Sequence, residues 1–224
     1  IHRSGVPVTI LHTFSRSNMD AVTVASLSEA DLVIEFTTPL TAAQHIRMCI
    51  DAGVPVISGT TGWYEHYPEI AAYCMQKNGA MLCATNFSIG VHIFLAVNAR
   101  LAEIMQHQKQ YEVRIEETHH TQKLDAPSGT AITLAQTINT HMPRTKGWVL
   151  HPEQQPDAIP IMAHRIDHVP GIHTVTYNSS VDQLTFTHSA QTRDGFADGA
   201  WLAARWILGK KGVFTMQDVL GITT

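Results

Sequence analysis

The stretch DLVIEFTTPLTAAQHIRMCIDAGVPVISGTTG, residues 31–62, decides the fold. Its first six residues are a short apolar run, the pattern of a strand covered on both faces. Ala42, Ala43, Ile46, Cys49 and Ile50 then recur at helical spacing, and Gly53 supplies a stop. Residues 54–58 return to a strand pattern that runs into Gly59-Thr60-Thr61-Gly62. Strand, helix and strand at this spacing make a βαβ unit, which implies parallel pairing.

The same alternation extends both ways. Residues 8–14 are β-rich and predict a further strand; residues 65–78 predict a helix closed by Gly79, and residues 80–84 another strand. Beyond residue 86 the pattern changes. A long helix is expected over 88–107, with Ile89, Ile93, Val97, Leu101 and Ile104 along one stripe. Residues 111–116 alternate: Tyr111, Val113 and Ile115 on one face, Glu112, Arg114 and Glu116 on the other, which suits a sheet with one wet face. A helix over 128–140 has Ser128 placed to cap it. Strands follow at 161–166, 174–178 and 184–188, then helices at 195–208 and 215–220. The expected fold class is α/β. It combines a Rossmann-like parallel-sheet domain, residues 1–87 and 197–224, with an α+β domain on a mainly antiparallel sheet, residues 88–196.

The 224 residues are 44% hydrophobic and 15% charged, a balance that favours a packed core over disorder. A formal net charge of −4 gives no electrostatic reason to expect nucleic acid or an anionic membrane as partner. No apolar run approaches the ~18 residues of a membrane span, and no signal peptide is visible. Cys49, Cys74 and Cys83 lack Cys-x-x-Cys spacing and read as free thiols in a reducing compartment, so a cytoplasmic location is expected. Residues 1–5 resemble the end of a helix, with Gly5 behind it. This reading starts the chain inside an element, with the first strand and the Gly-x-Gly-x-x-Gly loop of a dinucleotide fold missing.

Ligands bind at the carboxyl ends of strands in open α/β sheets. Three loops rich in small and hydroxyl residues lie there: 36–39, 59–62 and 85–88. If residues 8–14 are the second strand, Ser15-Arg16-Ser17 would meet the adenosine ribose, where an arginine accommodates the 2′-phosphate of NADPH.

The densest chemistry is His119-His120-Thr121-Gln122-Lys123-Leu124-Asp125-Ala126-Pro127-Ser128-Gly129-Thr130. Backbone N–H groups at a helix start bind carboxylates, and Gly129 permits close approach. Lys123 adds positive charge, a histidine donates a proton near neutral pH, and Asp125 is read as fixing the loop. No His-Glu-x-x-His or comparable spacing is present, so no metal ligand is assigned. A Schiff-base lyase using Lys123 is a rival reading; it needs no dinucleotide fold.

These residues resemble the dihydrodipicolinate (4-hydroxy-tetrahydrodipicolinate) reductases of bacterial diaminopimelate and lysine biosynthesis. The resemblance runs from about Val8 onward. It rests on the 119–130 string, on Glu117, on residues 34–39, 59–62 and 84–88, and on Arg193-Asp194-Gly195-Phe196-Ala197. It implies that His119 is the general acid/base and Lys123 a proton donor that helps hold substrate. His120, Gly129 and Thr130 would bind a substrate carboxylate. Gly59, Thr60, Thr61, Ala84, Thr85, Asn86 and Phe87 would contact NADH or NADPH. It further implies a small dicarboxylate substrate, a homotetramer and a hinge between two domains.

Overall fold

The computed structural model describes residues 8–222, so the helix end read at residues 1–5 lies outside the described residues. The chain divides into two compact units, residues 1–89 with 196–223, and residues 90–195.

In the first unit a short helix, α1 (Val24–Leu27), is closed by a reciprocal cap between Thr23 and Ser26. It leads to strand β1 (Val33–Glu35), helix α2 (Ala42–Asp51) and strand β2 (Val56–Ser58). Helix α2 buries Ala42, Ile46, Cys49 and Ile50, the stripe that its spacing predicts. Gly53, at φ +71°, turns the chain in a conformation that L side chains rarely adopt. Helix α3 (Tyr67–Gln76) and strand β3 (Ala80–Cys83) repeat the crossover. β1, β2 and β3 pair in parallel, with Glu35 opposite Ser58 and Ser58 opposite Cys83. The three loops at their carboxyl ends therefore leave one edge of the sheet together.

Residues 8–14 do not form the strand that their composition predicts. β propensity is realised only against a partner edge, and this segment joins neither sheet. Ile10 and Leu11 remain exposed, and the segment lines a groove of about 960 Å³ beside β1.

Helix α4 (Ile89–Met105) opens the second unit, followed by strand β4 (Glu112–His119), helix α5 (Gly129–His141) and strands β5 (Trp148–Leu150), β6 (Ile159–Arg165), β7 (Ile172–Asn178) and β8 (Gln183–Ser189). The sheet order is β5-β6-β4-β7-β8. The β4–β7 and β7–β8 pairs are antiparallel, as expected; β5–β6 and β6–β4 are parallel, so the sheet is mixed. The α5 connection returns the chain in the direction of β4, as a helical crossover does, and residues 151–158 bring it back once more to place β6 parallel to both β4 and β5. One face packs Val113, Ile115, Ile161, Val175 and Tyr177 against Phe94, Ala102, Leu134 and Ile138 of the helices. The face that α4 buries is Val91, Phe94, Asn98, Ala102 and Met105. Of the stripe expected to pack, Ile93, Val97 and Ile104 stay exposed. The helix is apolar on more than one side, so periodicity alone does not choose between its faces.

The chain then returns to the first unit through helix α6 (Asp194–Ile207), strand β9 (Gly212–Phe214) and helix α7 (Met216–Leu220). β9 extends the parallel sheet beside β3. α6 packs Ala200, Ala203, Ala204 and Ile207 on Ile57, Leu82 and Phe87.

Candidate functional site

β4 carries the alternation of residues 111–116 on to its end. Val113, Ile115, Glu117 and His119 are all buried, on one face. That face changes from apolar to ionisable within two residues. β7 places His173 directly opposite Glu117, in phase with Val175 and Tyr177. β6 places Arg165 opposite His119. An acid, two histidines and an arginine thus meet at one end of the second unit's core.

A buried carboxylate is costly unless it is paired and hydrogen-bonded. Glu117 Oε1 accepts from the Ser128 backbone N–H at 3.1 Å and from Arg165 Nη2 at 3.2 Å. Its Oε2 lies 3.2 Å from His119 Nδ1 and 3.8 Å from His173 Nε2. Burial pushes the Glu117 carboxyl up, but His119 and Ser128 together outweigh it and hold the group down at about 2. Burial, with the neighbouring His119, pushes His173 down to about 4. The His119 and His173 rings meet edge to face, centroids 4.9 Å apart. Gly171 passes so close that a Cβ there would sit 3.1 Å from His119 Nε2.

Ser128 caps α5, its side chain accepting from Ala131 N–H at 3.2 Å. Its hydroxyl also lies 3.0 Å from His173 Nε2. The capping bond holds the helix start over Glu117. Gly129 beyond it is exposed, with nothing within 4 Å of where a Cβ would stand. Thr130 and His120 are half-buried nearby in the chain. Lys123 Nζ donates to both oxygens of Asp125 at 2.7 Å, and that lysine lowers the Asp125 carboxyl. Arg165 clips the loop from beneath, donating to the Lys123 carbonyl at 3.3 Å and the Asp125 carbonyl at 2.6 Å. Bonds from the side chain of Lys123 and to the backbone of Asp125 hold the loop in shape.

The first unit gathers the other candidate residues. Glu35, buried at the end of β1, accepts from Thr60 Oγ1 and the Thr37 backbone N–H, each at 2.8 Å, and from the Ser58 and Thr37 hydroxyls. The Thr60 side chain therefore braces two loops from inside and does not face solvent, while its carbonyl accepts from the Trp63 indole at 2.9 Å. Thr61 and Thr85 are exposed, Ala84 is buried, and Asn86 Oδ1 accepts from the Ser88 N–H at 2.7 Å. A Cβ on Gly59 would collide with the Phe36 ring, which is 57% exposed and lies 5.8 Å from the Phe87 ring. The exposed Phe36 ring, with the Thr61 and Thr85 side chains on the neighbouring loops, is the aromatic surface here that could meet the ring of a nicotinamide cofactor. Arg16 is exposed in a turn braced by Ser15, Ser17 and Asn18.

Two family models cover the chain. The model for "Dihydrodipicolinate reductase, N-terminus" matches residues 7–87, and that for "Dihydrodipicolinate reductase, C-terminus" matches residues 90–220. The chain belongs to the dihydrodipicolinate reductase family. Among its relatives, the 4-hydroxy-tetrahydrodipicolinate reductase of Christiangramia forsetii is 49% identical over 86% of this chain and 80% of its own length. That of Chromobacterium violaceum is 35% identical over 89% and 76%. A solved structure of dipicolinate-bound dihydrodipicolinate reductase from Paenisporosarcina sp. TG-14 aligns with TM-score 0.71 at 25% identity, covering 85% of this chain and 73% of that one. A reductase with a parallel nucleotide-binding sheet implies a nicotinamide cofactor.

Spacing alone does not find Arg165 or His173. The signal available for Glu117 was its phase: an acid at a position where the alternation of β4 demands an inward residue. His173 carries the same signal in β7, two residues before Val175.

Proposed function

We infer that this protein reduces 4-hydroxy-tetrahydrodipicolinate to tetrahydrodipicolinate with loss of water, in diaminopimelate and lysine biosynthesis. Family membership through both halves of the chain carries this reading. The cofactor supplies a hydride when bound. The chain's own task is to hold a dicarboxylate and deliver a proton.

His119 is the proton donor in this reading. Its Nδ1 lies 3.2 Å from the Glu117 carboxylate, and Gly171 leaves its Nε2 unobstructed by a side chain. Lys123 is the second donor and the positive charge for a substrate carboxylate; it leaves Asp125 as the anion arrives. His120, Gly129 and Thr130 bind a carboxylate at the open start of α5. That the Paenisporosarcina protein is dipicolinate-bound supports a cyclic dicarboxylate as ligand. Gly59, Thr60, Thr61, Ala84, Thr85, Asn86 and Phe87 form the nicotinamide side of the cofactor site, Thr60 from beneath. Arg16 favours NADPH, with NADH also accepted.

The enzyme is proposed to be a cytoplasmic homotetramer. Cys49, Cys74 and Cys83 are free thiols, and no helix among the described residues is long and apolar enough to cross a membrane. Ile93, Val97 and Ile104 give α4 an uncovered apolar stripe for further copies of the chain. The domain roles follow: residues 1–87 and 197–224 for the dinucleotide, residues 88–196 for substrate and assembly.

The test is oxidation of NADPH and of NADH, followed by absorbance, with freshly prepared 4-hydroxy-tetrahydrodipicolinate. Turnover with at least one is expected. Protein that binds dipicolinate yet oxidises neither cofactor would overturn the reading.

A further inference from the structure

Glu117, His119 and His173 bring three metal-ligating side chains to one buried point, their ligand atoms all within 4.8 Å of one another. Two ligands held about 2.0–2.1 Å from a tetrahedral zinc ion lie roughly 3.3 Å apart. The 3.2 Å and 3.8 Å separations from Glu117 Oε2 bracket that value.

Glu117 Oε2 and His119 Nδ1 are both buried and face each other at 3.2 Å without hydrogen-bond geometry, so only ion-pair contacts offset their burial. Orphaned buried polar atoms are rare and need an explanation. A cation shared between carboxylate and imidazole satisfies both at once. Two imidazoles and one carboxylate are a donor set for zinc, while magnesium and calcium take oxygen ligands. The Arg165 guanidinium bonds the opposite oxygen, Oε1, and leaves Oε2 available. Its positive charge makes the site weaker than a structural zinc site, as reversible occupancy requires.

We propose that Glu117, His119 and His173 form an inhibitory zinc site. On binding, Zn²⁺ takes the Nδ1 lone pair of His119, and any proton there passes to solvent. The metal-bound imidazole keeps a single ring proton, on Nε2, and could release it only by becoming an imidazolate, so the imidazolium that serves as proton donor is lost. The inhibitory role rests on the assignment of His119 above; binding of the ion does not.

Chelator-treated protein titrated with Co²⁺ tests it, since cobalt in such a site absorbs in the visible. A saturable band at one Co²⁺ per chain, abolished by Zn²⁺, is expected, and reductase activity falls with added Zn²⁺ and returns with EDTA. His173→Gln should remove the band and weaken zinc inhibition at least ~10-fold, the smallest loss usual for an outer-sphere partner of a metal. No band in the wild-type protein at millimolar Co²⁺ overturns the proposal. So does a band or an inhibition that His173→Gln leaves unchanged, because the metal then sits on others of the 14 histidines. Should His173→Gln not fold, ring ¹⁵N resonances of the wild-type protein decide: zinc must move those of His119 and His173, and static resonances overturn the site. A cobalt band in protein that oxidises neither NADPH nor NADH even when metal-free would sink the reductase reading and leave the zinc site standing.

Discussion

The proton-donor role proposed for His119 rests on three neighbours. Glu117 lies two residues before it on the same strand face, His173 faces it across the ladder, and Gly171 clears its Nε2. His119→Ala is expected to lower kcat by roughly 10²–10⁴, the usual contribution of a positioned acid; steady-state kinetics at saturating cofactor measures it. Lys123→Ala should lower kcat and raise KM for the dicarboxylate together, and an unchanged KM would contradict its contact with the anion. Gly171→Ala places a methyl group at the Nε2 contact, so kcat should fall while the NADPH Kd stays constant. The candidates His119, His120, Lys123, Gly129 and Thr130 are legible in the sequence because they crowd one short string. Arg165 and His173 are not, because strand pairing brings them in from positions 48 and 56 residues after Glu117.

The elements repeat this division. α2 was legible because its core residues keep a 3.6-residue period and Gly53 marks its end. β5 and β9 were not, being three residues each and defined only by the strands that receive them. α6 shows how one small residue sets a packing distance: a Cβ on Gly199 would collide with the Phe87 carbonyl oxygen. Backbone cannot step aside as a flexible side chain can. Gly199→Ala should therefore cost about 1–3 kcal/mol, in the usual overpacking range, and lower Tm in a thermal melt. The NADPH Kd should rise with it, since the displaced loop carries Thr85, Asn86 and Phe87; an unchanged Tm would count against this packing.

At the scale of the molecule, the buried ionisable cluster ties the stability of the second unit to pH. His173 is pushed from 6.5 down to about 4 in the folded protein, so the stability that it conserves is full above 6.5 and lost as pH falls toward 4. Glu117 is held at about 2 against 4.5, so its contribution is full above 4.5 and lost between 4.5 and 2. Acid denaturation followed by circular dichroism should therefore begin below pH 6.5 and continue through 4.5 toward 2, His173 driving the upper part and Glu117 the lower. Glu117→Gln should flatten the lower part; an unaltered profile would show that another group controls it. By itself the sequence determined the two sheet types, most elements, the family and the 119–130 string, because periodicity, turn chemistry and short motifs are local properties. Only the tertiary structure decided that residues 8–14 join no sheet, which face of α4 is buried, and that Glu117, Arg165 and His173 surround His119. Those outcomes depend on which distant segment supplies the partner edge or the opposing side chain, and no local pattern encodes that.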